Sequence, residues 1–357
     1  MRNPGRREPQ DDMRPIFAPE LINGAFGDPA LIIDCKYVRR ALLFDIGDVA
    51  RLATRRLLRV SDVFVSHAHM DHFAGFDRLL RVCLGRAKGV RLYGPPQFLD
   101  RVEHKLAAYT WNLVQNYTAE FTVTAHELLP DGHARSACFR SRSKFVREPA
   151  GEIVAPDGVL LTEPELRVRA TFIDHETPCL AFTLEESTHI NIWKSRLAEL
   201  GLPTGPWLQE LKAAVRAGAA DDTAIRATWH DRNGSHVREV SLGDLKANVV
   251  KLVPGQKICY VTDAAYSDAN AQRIAGLAAR ADLLFIEAAF LHEDAERAHD
   301  RYHLTARQAG ELARAAGVAL AVPFHFSPRY MDRELELHAE FDAAFRGAAP
   351  VSNAVRP

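Results

Sequence analysis

Apolar positions in the first half of the chain fall in short runs broken by turns. "ALIIDCKY" and "RALLFDIGD" read as paired strands, and "DVFVSH" as a buried strand. "GFDRLLRVCLG" predicts a short helix, "VRLYGPP" a strand stopped by Gly-Pro-Pro, and "QFLDRVEHKLAAYT" a helix. "AEFTVTAHEL", "ARSACFRSRSKFVRE", "ELRVRATFID" and "CLAFTLEE" read as further strands. The pattern changes near Ser187. From about 188 to 245 it predicts helix, turn, helix and a polar strand, with no continuous apolar stripe, which is an excursion rather than core. Beyond it, strands "KICYVTDA", "DLLFIEAAF" and "LAVPFHF" alternate with helices "DANAQRIAGLAARA", "TARQAGELARAAG" and "DRELELHAEFDAAFRG". Strands first and βα units later fit a layered sheet core with helices outside. No repeat at solenoid periods is present.

Composition narrows this only a little. The 357 residues are 47% hydrophobic and 25% charged, as in soluble globular domains. A formal net charge of −1 excludes bulk attraction to nucleic acid, so any such contact falls to local patches. No apolar run is long enough for a membrane helix, and "MRNPGRREPQDD" lacks the apolar stretch of a secretory signal. It reads as a disordered lead-in over 1–13, with Met13 as an alternative start. The five cysteines are odd in number and form no C-x-x-C pair, which favours a reducing cytoplasm over a disulfide framework or thiolate zinc site.

The chemistry concentrates in "VFVSHAHMDHFAGFDRLL". His67, His69, Asp71 and His72 lie within six residues, just past a strand-forming run. Alternate histidines in an extended segment point to one side, and a loop can return Asp-His to the same point. Imidazole and carboxylate suit zinc. Burying these groups without a partner would cost several kcal/mol, about 2–7 for each polar group. His104, His126, His133 and His338 stand alone and read as ordinary core or surface residues. Four ligands on one short loop do not complete one tetrahedron, so two metals with further ligands are expected. His175, Asp263 and His325 each end a β run, where open sheets place their sites.

Several ordered segments resemble the metallo-β-lactamase superfamily, and within it the ribonuclease Z branch of tRNA 3′-processing endonucleases. "SHAHMDHFAG" is similar to the signature loop, "IDHETPCLAF" to its histidine segment, and "YVTDAAYSD" to the bridging-aspartate segment. "LGLPTGPWLQELK" resembles the glycine-proline segment of the tRNA-binding arm, and "IEAAFLHEDAERAHDRYHLTARQA" the stretch with a catalytic histidine. "HFSPRY" is similar to the last metal motif. The branch's glycine-rich opening turn is replaced by "DIGDVARL", and its Gly-Asp-Thr by Thr262-Asp263-Ala264.

The resemblance implies an α/β metallo-β-lactamase fold, a four-layer αββα sandwich with a protruding helical arm. Residues 14–187 and 246–350 would form the hydrolase domain, and 188–245 an inserted flexible arm. It implies two Zn²⁺, with Mn²⁺ or iron as substitutes. His67, His69 and His175 would hold one ion, Asp71, His72 and His325 the other, and Asp263 would bridge them. Asp71 would orient or deprotonate the attacking water. His303 would protonate the leaving oxygen, with Glu287 orienting a histidine. Ser327, Arg329 and Tyr330 would hold phosphate, and Gly205 and Pro206 would belong to the RNA-binding arm. A cytoplasmic homodimer acting on precursor tRNA is the expected partnership. Two stretches add basic candidates for RNA: "HARSACFRSRSKFVR", with cations at period two, and the arm, with Lys194, Arg196, Lys212 and Arg216 beside Trp193 and Trp207. A hydrolase of small phosphodiesters or other esters is the alternative enzyme. A non-catalytic RNA-binding scaffold is the alternative from another class.

Overall fold

The structure is a computed structural model and describes residues 16–187, 189–232 and 234–347; the expected lead-in over 1–13 lies outside them. The chain divides into two units. The larger contains one eight-stranded sheet in chain order: β1 (Phe17–Leu21), β2 (Leu31–Cys35), β3 (Arg40–Phe44), β4 (Val60–Phe64), β5 (Lys88–Gly94), β6 (Phe121–Leu128), β7 (His133–Arg140) and β8 (Arg147–Val154). From β3 to β6 the strands run parallel. Their crossovers carry α1 (Thr54–Leu57), α2 (Met70–Phe73), α3 (Phe76–Cys83) and α4 (Phe98–Ala107). The segment "ARSACFRSRSKFVRE" is not one strand. It turns at Ser141–Val146 and returns as β8.

Then come β9 (Val159–Thr162), β10 (Leu166–His175) and β11 (Thr177–Glu186). The smaller unit follows, from 185 to 256 together with 162–167. It contains β12 (His189–Ile192), α5 (Lys194–Glu199), α6 (Trp207–Arg216), a hairpin of β13 (Ala224–Asp231) and β14 (Gly234–Ser241), α7 (Leu242–Asn248) and β15 (Val250–Val253). Leu197, Leu202, Trp207, Leu211, Ile225, Leu242 and Leu245 are buried together there. The segment therefore has a core of its own, where its sequence showed no continuous stripe. Its apolar residues come from several elements: α6 presents Trp207 and Leu211 one turn apart, and most of the rest come from α5, α7 and β13.

The chain then builds β16 (Lys257–Val261), α8 (Asp268–Ala278), β17 (Leu283–Glu287), α9 (Ala295–Asp300), α10 (Ala306–Ala316), β18 (Leu320–Phe324) and α11 (Glu334–Arg346). These strands complete a six-stranded sheet in the order β18-β17-β16-β11-β10-β9. Pro323 lacks an amide proton, and its strand sits at the sheet edge, where none is required. α10 starts with a capping box from Thr305 and Gln308 and ends at Gly317 in the left-handed region.

The larger unit is layered helix, sheet, sheet, helix. Leu43, Val63, Leu92 and Val123 pack outward with Phe76, Leu80 and Val102 of the helices. On the other side Val261, Leu284 and Ile286 pack against Ile274, Ala313 and Phe341. Between the sheets runs an in-register aromatic row, Phe44, Phe64, Tyr93 and His126, one from each of β3 to β6. Successive ring centroids are 5.0, 4.7 and 4.7 Å apart. Phe182 and Tyr260 of the opposite sheet sit 5.7 and 6.0 Å from Phe44. The row ends where His126 pairs with Ser136 Oγ at 2.8 Å, and burial lowers this imidazole to about 4, keeping it neutral. The row packs the two sheets together one residue before their site-bearing ends.

Behind the row lies Asp62, fully buried, accepting from Arg40 and Arg91 at 2.6 Å each and from Ser61. Burial disfavours its charge, but these donors outweigh that and hold the carboxyl below its usual range. Removing it leaves two guanidiniums without their buried partner. Asp62→Ala should cost about 3–5 kcal/mol in urea denaturation. Because the folded pKa is depressed, the contribution is present above the unfolded value of about 3.9 and fades as pH falls through the folded one. The variant should therefore lose that part of the wild-type acid dependence.

Candidate metal centre

β4 stops at Phe64, but Val65 N still donates to Tyr93 O at 2.8 Å, so the chain stays extended as it enters the histidine loop. His69 is extended and immediately precedes α2, which carries Asp71 and His72. Ile46 N donates to His72 O at 2.9 Å, and Gly75 N donates to Ile46 O at 2.8 Å, pinning the loop to the end of β3. Gly47 has no freedom to change, since a Cβ there would lie 1.8 Å from Asp71 O.

The distant residues arrive from the other sheet. His175 ends β10, Asp263 stands two residues beyond β16, and His325 follows β18 with φ 58°. Asp263 is the centre. Its Oδ2 lies 3.3 Å from His175 Nε2, 3.5 Å from His72 Nε2 and 3.7 Å from His67 Nε2. Its Oδ1 lies 2.9 Å from His325 Nδ1. Asp71 Oδ2 is 3.3 Å from His72 Nε2 and 3.4 Å from His325 Nε2. His67, His69, His175 and Asp263 bring one ligand atom each within 4.8 Å of one another, and so do Asp71, His72 and His325. All seven residues picked from the sequence thus converge.

Their hydrogen bonding fits cations. His72 Nδ1 meets Asp45 Oδ2 at 2.8 Å, and His175 Nδ1 meets the Tyr302 carbonyl at 2.7 Å. Both partners only accept, so both Nδ1 atoms donate, which turns the Nε2 lone pairs toward Asp263. His67 Nε2, His72 Nε2 and His325 Nδ1 are buried without a hydrogen-bond partner. Lone pairs facing a carboxylate are favourable only with positive charge among them. Burial and the nearby histidines lower His67 to about 2, its neutral ligand form. Burial also drives His72 down, but Asp263 and Asp45 draw a proton onto it, and a divalent cation would supply the same charge. Asp263 is penalised by burial, yet His325 and His72 hold it well below the carboxylate range.

Asp45 is a residue the sequence reading missed. It is fully buried with φ 55°, and it accepts from Ser66 N at 2.7 Å, Ser66 Oγ at 2.8 Å and Tyr260 Oη at 3.0 Å besides His72. Its signal was available: like Asp263, it follows the end of an apolar strand. Glu287 and His303 also come together. Glu287 is fully buried; Oε1 accepts from Ala264 N and Leu304 N, and Oε2 accepts from His303 Nδ1 at 2.9 Å. Both oxygens are engaged, so Glu287 holds the backbone after Asp263 and orients His303. Burial works against the His303 charge, but Glu287 more than offsets it and raises the imidazole above its usual value.

His69, Asp71, His175, Asp263, His303 and His325 open onto a cleft of about 900 Å³, lined also by Phe26, Arg297, Arg301, Tyr302, Ser327 and Arg329. Tyr330 corrects one expectation. It is buried beneath the cleft and donates to Asp294, so it takes no part in the lining. The basic stretch at β7 and β8 is also not a free positive face. Arg135 pairs with Glu152, Arg140 with Glu148, and Arg147 with Asp100 and Glu103, while Arg142 donates to the Thr118 carbonyl. In the smaller unit, Gly205 and Pro206 line a hollow of about 760 Å³ with Trp229. Trp207 is buried rather than available for stacking; Arg196 pairs with Glu199, and Arg216 with Glu165.

Known proteins are similar to this chain in sequence and in fold. A family model described as "Beta-lactamase superfamily domain" matches residues 44–190 and 208–326. Ribonuclease Z of Deinococcus radiodurans is 30% identical over 296 residues, covering 82% of this chain and 84% of the relative. Ribonuclease Z of Treponema pallidum is 28% identical, covering 82% and 80%. The fold is similar to that of human tRNase Z, short form, with a TM-score of 0.51 at 19% identity, covering 86% and 92%. It is also similar to the metallo-β-lactamase fold protein YhfI of Bacillus subtilis, with a TM-score of 0.51 at 15% identity, covering 92% and 93%. With the sandwich, the ligand cluster and these matches together, the chain belongs to the metallo-β-lactamase superfamily, in its ribonuclease Z branch, and is a metal-dependent hydrolase.

Proposed function

We propose that the protein is a zinc phosphodiesterase of ribonuclease Z type that cuts precursor tRNA at its 3′ trailer. The observation that carries the reading is the seven-residue cluster with partnerless buried imidazole nitrogens, placed beside a histidine backed by a buried carboxylate. His67, His69 and His175 would hold one ion, Asp71, His72 and His325 the other, and Asp263 would serve both. Bound there, the ions supply Lewis-acid polarisation of the phosphodiester and an acidified water. The names of the relatives support RNA as substrate.

The chain's own residues do the rest. Asp71 stays ionised: burial opposes its charge, but His325 and His72 outweigh that and hold it far below the usual range. Ionised, its oxygens accept hydrogen bonds and so orient the attacking water. Glu287 stabilises the His303 imidazolium and raises it above its usual value, and His303 delivers its proton to the departing ribose oxygen. Ser327 and Arg329 at the cleft wall offer donors to phosphate oxygens. In the smaller unit, the hollow containing Gly205 and Pro206 is the proposed arm contact for the RNA.

The direct test is cleavage of a precursor tRNA against a generic phosphodiester. Efficient, salt-sensitive cleavage at the 3′ trailer is expected. Equal rates on both would favour the small-phosphodiester enzyme instead.

Metal analysis should find two zinc ions per chain, with fewer in His67→Ala and His325→Ala. Asp45→Asn keeps every ligand but loses the carboxylate that orients His72, so metal affinity should drop about 10–100-fold. Unchanged affinity would remove Asp45 from the site.

His303→Ala should retain both ions and substrate affinity while losing kcat by about 10²–10⁴-fold on RNA. The loss should shrink on a nitrophenyl phosphodiester, whose leaving group needs no proton. Loss of metal in this variant would make His303 a ligand.

A further inference from the structure

Tyr302 sits in a position that its backbone does not favour. α9 ends in a Schellman arrangement: His303 N donates to Ala298 O at 2.9 Å, and Tyr302 N donates to His299 O at 3.0 Å. The residue between cap and return must be left-handed, and Tyr302 has φ 59°. Glycine takes this conformation without a clash, whereas a Cβ is penalised there. The backbone duty of the position is to aim its carbonyl at His175 Nδ1. Glycine would supply that carbonyl equally well. What tyrosine adds is its side chain, at a position that lines the same cleft as His175 and His303. Its ring centroid lies 6.4 Å from that of His175.

We propose that the Tyr302 ring is a platform on which a nucleobase stacks next to the reacting phosphodiester. The inference rests on the phosphodiesterase reading and adds a substrate class to it. The surroundings favour a base over a phosphate at this spot. The Tyr302 hydroxyl interacts with Glu176, and the carboxylates of Asp174 and Asp300 are also near it, with Arg297 and Arg301 on the same cleft. Three carboxylates repel phosphate but accept from amino groups of a heterocycle. Phosphate is served elsewhere on the same cleft, by Arg297, Arg301 and Arg329. Stacking needs only a flat, accessible ring, and Tyr302 is partly exposed.

The experiment measures equilibrium binding of adenosine 5′-monophosphate and of ribose 5-phosphate to zinc-loaded protein by calorimetry. The two probes differ only by the base. Wild type should bind the nucleotide about tenfold or more tightly, the range expected for one base on one aromatic ring. Tyr302→Gly should bring the ratio near one. Its thermal midpoint should not fall, since glycine suits the backbone better. Tyr302→Phe keeps the ring and loses the Glu176 bond, and should keep the preference. The proposal is overturned by equal affinities in wild type, by an undiminished preference in Tyr302→Gly, or by loss of preference in Tyr302→Phe, which would assign the role to the hydroxyl. Failure to cut precursor tRNA with the base preference intact would remove the RNA reading and leave the platform standing.

Discussion

One buried carboxylate ties the architecture to the chemistry. Asp45, just past β3, gathers Ser66 from the loop after β4, His72 from α2 and Tyr260 from the opposite sheet. Four donors on one carboxylate satisfy a charge that would otherwise be costly to bury. The same bonds fix the distance between the sheets at their functional end. They also set the ring orientation of a proposed metal ligand. The aromatic row one residue behind gives this junction a stiff apolar backing, with Phe44, Phe64, Phe182 and Tyr260 in mutual contact. Close-packed interiors transmit strain, so ligand geometry and sheet packing are one problem here.

A second theme is the backbone at strand ends. Asp45, Glu176, Tyr302 and His325 all adopt positive φ without being glycine. Each turns the chain just as it leaves or borders an element of the site. Such conformations are unfavourable locally and are held by their surroundings. Asp45 is held by its donors, Tyr302 by the helix cap, and His325 by the contact of its neighbour Phe326 N with Ala25 O. The site is thus rigid because the layers around it over-determine it.

The division of labour between the two carboxylate classes follows from burial. Asp71 faces the cleft and stays ionised, available to solvent and substrate. Glu287 is sealed off and spends both oxygens on neighbours, so it acts only through His303 and the Ala264 amide. A similar logic separates Arg297 and Arg301, at the cleft, from Arg135, Arg140 and Arg147, whose charges are met by Glu152 and Glu148 of β8 and by Asp100 and Glu103 of α4.

The sequence alone singled out the seven candidate ligands. Metal chemistry demands particular side chains, and His67, His69, Asp71 and His72 are local enough to read directly. His175, Asp263 and His325 were legible because a strand end is visible as the close of an apolar run. The order of strands and helices was legible for the same reason, since period and turn residues are local properties. What only the tertiary structure decided is everything that depends on pairing. The positive stripe at β7 dissolved because strand pairing sets Glu148 and Glu152 of β8 beside Arg140 and Arg135, while Asp100 and Glu103 of α4 meet Arg147. The core of the smaller unit appeared because it is assembled from α5, α6, α7 and β13, which come together only in the folded chain. Tyr330 and Trp207 turned inward, and Asp45 emerged as the anchor, because burial and hydrogen bonding are relations between segments that meet only when the chain folds.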